Sequence, residues 1–329
     1  MGVFYPYIDL HSDALYQAWR CGADDIFQMN GSMSDVSADR AGGCKLQLYA
    51  IYLPDLDKID DPAVHYPGDD IYIQRLFEIF NHTCQGYSDR FAPVLTMQDV
   101  EHNAAAGKLS GMLSMEDGRA VRGSFERLRY FYKLGVRILG LTWNHPNCFG
   151  YPNSFDPAEM AKGLTAFGKD ALPCMEELGM LVDVSHLSDG GFWDVVKISR
   201  RPFLASHSNC RTLNPHPRSM TDEMIRALAD CGGIMGLNFY PAFLTQDIKN
   251  VCSTVDAMAA QLRHRINVGG LGCAAIGSDF DGIDGNLEIA SAAQMPTLFE
   301  ELEKRGFSFH EIDQISHKNA ERLLSDVLG

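Results

Sequence analysis

Eight short runs of nearly continuous apolar residues, each followed by a longer amphipathic stretch, constrain this chain more than any other feature. They are residues 3–10, "CKLQLYAIYL" (44–53), "LSGMLSM" (109–115), "VRILGLTW" (136–143), "MLVDVS" (180–185), "PFLASH" (202–207), "GIMGLNFY" (233–240) and "CAAIGSD" (273–279). Strands without a polar face are buried on both sides, the situation of a parallel sheet sheathed by helices. The stretches between them have the grammar of helices. "SFERLRYFYKLG" opens on a Ser cap and ends at Gly135, and "TDEMIRALADCGG" opens on Thr221, carries acidic residues in its first turn and stops at a Gly pair. "TVDAMAAQLRHRINVGG" and "MPTLFEELEKRG" repeat the pattern. Eight alternations in 329 residues predict a single α/β domain over 1–329, a closed (β/α)8 TIM barrel. The competing architecture is a doubly wound open sheet, but no G-x-G-x-x-G follows any strand. No linker, internal repeat or low-complexity tract divides the chain.

Charge narrows the partners. The 28 basic and 43 acidic residues give a net charge of −15, which disfavours a nucleic-acid partner. The longest apolar stretch, "GGIMGLNFYPAFL" (232–244), is too short to span a bilayer, and no secretory signal is readable at the N-terminus. The nine cysteines form no C-x-x-C pair and read as reduced thiols, so the expectation is a cytoplasmic protein with no membrane partner.

In a barrel of this kind the reactive groups sit at the C-terminal ends of the strands. At those ends the sequence places His11 and Asp13, Glu116 in "SMEDG", His145 in "LTWNHPN", His186 in "VDVSHLS", His207 in "LASHSN" and Asp279 in "GSDFDG". H-x-D alone is ambiguous: His11 and Asp13 fit a metal-ligand pair, and equally a surface His beside a helix-capping Asp. Six of eight strands delivering a His or carboxylate to one rim is a different matter. Imidazole mixed with carboxylate suits zinc or another borderline divalent ion. Five such groups and a spare carboxylate fit two ions sharing one carboxylate, with positions left for water.

In this order and spacing, "DLHSD", "EDG", "LTWNHPN", "DVSHLS", "ASHSN", "PHPRSMTDE" and "AIGSDFDG" resemble the membrane (renal) dipeptidase family, a branch of the amidohydrolase-like metal barrels. The resemblance runs over nearly the whole chain. It implies a dipeptidase with two Zn2+ per chain, one held by His11 and Asp13, the other by His186 and His207, with Glu116 bridging. It further implies that His145 polarises the scissile carbonyl, that Arg218 grips the substrate carboxylate and that Asp279 handles the proton. Asp281, two residues on, is the alternative for that last role, and Arg211 competes with Arg218. A metal-bridging hydroxide would attack, consistent with the lack of a G-x-S-x-G elbow. The substrates implied are dipeptides with a free C-terminal carboxylate, D residues being accepted at that position, and the assembly a homodimer. A barrel hydrolase acting on a cyclic amide, a lactone or a deaminase substrate is the alternative. It would have no need of Arg218.

Three features depart from the family pattern. Asp117 stands where Gly is usual after the bridging Glu, "ISHKNAERLL" replaces a Gly-Gly-Asn turn, and the export signal and lipid anchor of the animal members are not seen. Among the remaining histidines, His65, His82, His102, His264, His310 and His317 read as surface or structural groups, and His216 beside Arg218 is the stronger candidate for the site. Trp143 and Tyr240 end strands, as pocket wall or as core. "PDLDKIDDPAVHYPGDD" (54–70) reads as a solvated rim loop.

Overall fold

All eight apolar runs fold as strands: β1 (Tyr7–Ser12), β2 (Cys44–Tyr52), β3 (Leu109–Glu116), β4 (Val136–Gly140), β5 (Leu181–Asp183), β6 (Leu204–Ser208), β7 (Ile234–Leu237) and β8 (Ala274–Ile276). The computed structural model describes residues 4–55, 66–246 and 251–328. Most of the rim loop 54–70, with His65, lies outside the described residues. Every neighbouring pair is parallel, and the ring closes where Asp9 of β1 pairs with Ile276 of β8 and Leu46 of β2 with Ser110 of β3. This is the (β/α)8 barrel, and its closure removes the sheet edges.

The apolar patterning decides which side chains fill it. Ile8, Leu10, Leu46, Leu48, Met112, Ile138, Leu181, Leu204, Ile234 and Ala275, drawn from all eight strands, form one buried cluster with Val94, Met97, Val100 and the C-terminal helix Asn319–Leu328. A second, larger cluster lies between the strands and the surrounding helices.

The cap residues behave as their chemistry dictates. Ser124 accepts from the Arg127 N–H, Thr221 from Met224 and Thr254 from Ala257, each closing the start of a helix. The sequence pattern gave no sign of the short strand Phe91–Pro93 beside β3 or of the pair Cys252–Ser253 and Asn286–Leu287. Segments of two or three residues carry no periodicity to detect. In "ISHKNAERLL" the chain makes a π turn over Gln314–Lys318, and Asn319 Nδ2 donates to the carbonyls of Leu271 and Ala274 at the foot of β8.

Candidate active site

The tripeptide His11-Ser12-Asp13 resolves its own ambiguity. Asp13 occupies the cap position of the helix Ala14–Cys21, yet its side chain makes no capping hydrogen bond. Its Oδ2 instead lies 3.4 Å from His11 Nε2, and both groups are almost fully buried. His11 Nε2 and Asp13 Oδ1 have no hydrogen-bond partner among the described residues. Buried polar atoms left without partners are costly, and a bound cation supplies what they lack.

Glu116 ends β3 at the centre of the cluster. Its Oε2 is 3.5 Å from His11 Nε2, and its Oε1 is 3.0 Å from His186 Nε2 and 3.4 Å from His207 Nε2. One carboxylate thus faces imidazoles from both halves of the barrel. The donor atoms of His11, Asp13 and Glu116 lie within 4.8 Å of one another, as do those of Glu116, His186 and His207. His186 is held in the left-handed backbone region at φ 68°, with its Nδ1 3.2 Å from Asn144 Oδ1. The donor set therefore fits two borderline divalent ions sharing Glu116.

Ionisation matches ligand duty. Burial pushes His207 well below its ordinary value, with His11 and Arg218 adding to the effect, and burial with Arg218 takes His186 down to about 4. Both rings are therefore neutral, the form that binds metal. Burial opposes the charge on Glu116, but the surrounding imidazoles, His11 foremost, hold its carboxyl well below the usual range.

The two carboxylates of "GSDFDG" have different employment. Both Asp281 oxygens are taken: Oδ2 accepts from Ser32 Oγ at 2.7 Å and Ser34 N at 3.2 Å, and Oδ1 from Met33 N at 2.7 Å. Asp279 turns Oδ1 to within 3.8 Å of His11 Nε2, while Asn238 Nδ2 donates to its Oδ2 at 2.7 Å. The Gly282 backbone has to pass close by: a Cβ there would lie 2.1 Å from Asp13 Oδ2.

The two arginines separate as cleanly. Arg211 is spent on a bidentate pair with Asp189, two contacts of 2.7 Å, and on the carbonyls of Ser219 and Pro217. Arg218 is buried and donates Nη1 to Ser208 Oγ at 2.8 Å, but its Nε and Nη2 have no hydrogen-bond partner among the described residues. Those two nitrogens form one edge of the guanidinium, the edge that takes a carboxylate side-on. Arg218 borders a cavity of ≈ 530 Å³ with Glu116, His186, Asp279, Asn144 and Tyr240. His216 and Trp143 line it as well, and the His216 Nδ1 accepts from the Arg218 backbone N–H at 3.1 Å.

His145 is placed elsewhere. Its side chain is 57% exposed, and its Nε2 lies 2.8 Å from Asp55 Oδ2. β4 stops at Gly140 and the chain bends, so Trp143 and Asn144 border the cavity and His145 does not. Counting residues past a strand end does not predict which of them turns inward. The Asp117 departure has a clear geometry: it adopts φ 89°, a region that favours Gly, and its Oδ1 accepts from Arg119 N and from Asn147 Nδ2.

Residues 3–328 match the family model of the membrane dipeptidases, peptidase family M19. The chain belongs to the membrane dipeptidase family. It is 34% identical over 270 residues to an uncharacterised protein from the pqqA 5′ region of Klebsiella pneumoniae, covering 79% of this chain and 98% of that one. Dipeptidase aclJ of Aspergillus oryzae is 28% identical over 98% of this chain and 78% of its own. A metallopeptidase from Rhodobacter sphaeroides, crystallised with a phosphinate mimic of L-Ala-D-Ala, superposes with a TM-score of 0.90 at 26% identity, over 99% of this chain and 100% of that one. The protein is a metallo-dipeptidase by family.

For a dipeptidase of this family, the residues missed by sequence reasoning are the supports. Asn238 directly follows β7, and a neutral amide carries no acid–base or metal-ligand signal of its own. Ser206 adjoins His207 in "ASHSN", and Asp183 ends β5; together they hold the His207 ring. Their types are ordinary for buried strands, so only contact reveals them.

Proposed function

We propose that this dipeptidase, one catalytic domain over 1–329, hydrolyses dipeptides bearing a free C-terminal carboxylate, with D residues accepted at that position. The observation that carries the reading is the free Nε–Nη2 edge of buried Arg218 in the cavity that also holds Glu116, His186 and Asp279. A buried guanidinium with two idle donors selects an anion with two acceptors.

His11, Asp13, Glu116, His186 and His207 would hold two divalent ions, which we take to be zinc. When bound, such a pair supplies a water acidified to near neutrality and Lewis-acid polarisation of the carbonyl. Arg218 would orient the substrate by its carboxylate, placing the scissile carbonyl over the cluster. Asp279, fixed through one oxygen by Asn238, would accept the proton lost by the attacking water and deliver it to the leaving amine. His145, assigned to carbonyl polarisation on resemblance, gains no support from its placement beside Asp55. With Arg218 and the metals fixing the two reacting ends, the C-terminal side chain is constrained by neither, which is the physical basis for tolerance of the D configuration.

No described helix is long and apolar enough to cross a membrane. We propose a cytoplasmic protein, which nine free cysteines and the charge of −15 fit, and, from the resemblance to the family alone, a homodimer.

The test is a panel of L,L and L,D dipeptides and their C-terminal amides, assayed with the zinc-loaded protein. Hydrolysis of the acids at least tenfold faster than the amides is the expected result. Equal rates, or hydrolysis of lactones and cyclic amides only, would favour the alternative barrel hydrolase.

A further inference from the structure

Besides Arg218, the cavity is bordered by a second cation, on the helix that directly follows the cluster residue Asp13. Tyr16 and Arg20 are one turn apart on the helix Ala14–Cys21 that follows β1, so they share a face, and both border the cavity. The Arg20 guanidinium lies 5.6 Å from the centre of the Tyr16 ring. Tyr16 meets Tyr52 edge-on at 5.0 Å, and Tyr52 meets Trp143 in the same way at 5.0 Å. An aromatic wall therefore runs around this side of the mouth, ending in Arg20.

Arg20 has no carboxylate within ion-pair distance among the described residues, in contrast to Arg75, Arg119 and Arg127, which are all paired. Five carboxylates border the cavity; four are already committed, and the fifth, Asp284, forms no ion pair with Arg20 among the described residues. Asp13, Glu116 and Asp279 belong to the cluster, and Asp281 is bonded to Ser32, Met33 and Ser34.

We propose that Arg20 reads the side chain of the N-terminal residue and that the enzyme prefers dipeptides beginning with Glu or Asp. The inference rests on the dipeptidase reading above. If the carboxylate sits on Arg218 and the scissile carbonyl on the metal cluster, the N-terminal residue extends past the cluster toward the wall that adjoins Asp13 and Glu116. That wall is Tyr16, Tyr52 and Arg20. Its rings pack against the aliphatic part of the side chain, and the guanidinium meets the terminal carboxylate. Because Arg20 is exposed and screened by water, the preference is about two- to fivefold, far below what a buried pair would give.

The experiment compares kcat/KM for Glu-D-Ala with Gln-D-Ala, and for Asp-D-Ala with Asn-D-Ala, in the zinc-loaded wild type and in Arg20→Gln and Arg20→Lys. The wild type should favour each acid about two- to fivefold. Arg20→Gln should bring both ratios to about one, and Arg20→Lys should keep most of the preference. Raising ionic strength to about 0.5 M should shrink the wild-type ratio and leave that of Arg20→Gln unmoved. Ratios unchanged by Arg20→Gln, with all four peptides still hydrolysed, overturn the assignment of Arg20 and leave the dipeptidase reading intact. Failure of the wild type to hydrolyse any of the four overturns both.

Discussion

Ser206 stands between Asp183 and His207. Its hydroxyl donates to the Asp183 carboxylate and lies 2.7 Å from His207 Nδ1, so the ring must carry its proton on Nδ1 and present a bare Nε2 to Glu116. Asp183 is itself fixed, accepting the backbone N–H groups of Ser185 and Ser206 at 2.9 Å each. Such outer partners set the tautomer and basicity of a ligating imidazole, and losing one typically costs 10- to 100-fold in metal affinity.

If the cluster holds two ions as proposed, Ser206→Ala should weaken the site that uses His207 by about 10- to 100-fold while the other is retained. Competition titration with a chromophoric chelator reads both sites. Two sites of unchanged affinity would mean that Ser206 is only packing. Glu116→Ala, by contrast, should weaken both, because its two oxygens face both sets of imidazoles.

Arg218→Met should raise KM and reduce the preference for dipeptides over their C-terminal amides, since breaking a buried charge-assisted contact costs on the order of 2–5 kcal/mol. Arg211→Met removes the pair with Asp189 and should lower Tm without altering that preference. If Arg211→Met abolishes the acid-over-amide ratio and Arg218→Met does not, the anchor has been assigned to the wrong arginine.

Asp279→Asn should reduce kcat by about 100-fold or more, the order expected when a proton-transfer group is lost. Asp281→Asn should mainly loosen residues 32–34, seen as faster amide exchange of Met33 and Ser34. A greater kcat loss in Asp281→Asn than in Asp279→Asn would reverse the roles.

Metal uptake should release protons. Without metal, burial disfavours a charged His11, but Glu116 and Asp13 outweigh it and raise the ring well above its ordinary value. Burial pushes Asp279 up to about 7. A dication displaces protons held at neutral pH, so apparent affinity should climb as pH rises through neutrality. Calorimetry in two buffers of different ionisation enthalpy measures the protons released. An affinity independent of pH between about 6 and 8 would contradict this linkage.

Gly282→Ala should fold but bind metal poorly at the site made by His11 and Asp13, because the new Cβ would meet Asp13 Oδ2 at 2.1 Å. Circular dichroism with elemental analysis separates the two effects. Full metal content in this variant would show that the Asp13 loop yields at no cost.

The barrel was legible in the sequence because parallel strands buried on both faces leave an unbroken apolar run, and eight such runs separated by capped helices leave few ways to close. The convergence of His11, Asp13, Glu116, His186, His207 and Asp279 was legible for a related reason. A strand delivers the residue at its C-terminal end to the rim whatever the loops do. Beyond the strand ends the rule holds only in part: His186 and Asp279, each three residues past its strand, reach the cluster, and His145, five residues past β4, does not. Trp143, Asn144 and His145 are consecutive, and only the bend after Gly140 determined that the first two border the cavity while His145 turns to Asp55. Asp279 and Asp281, or Arg218 and Arg211, are equivalent as letters. Tertiary contacts separated them by giving Asp281 three donors and Arg211 a carboxylate, while Asp279 keeps one oxygen turned to the cluster and Arg218 one edge without a hydrogen-bond partner among the described residues. Side-chain chemistry is written in the sequence, but whether a polar group is already satisfied depends on neighbours that only folding brings within hydrogen-bond distance.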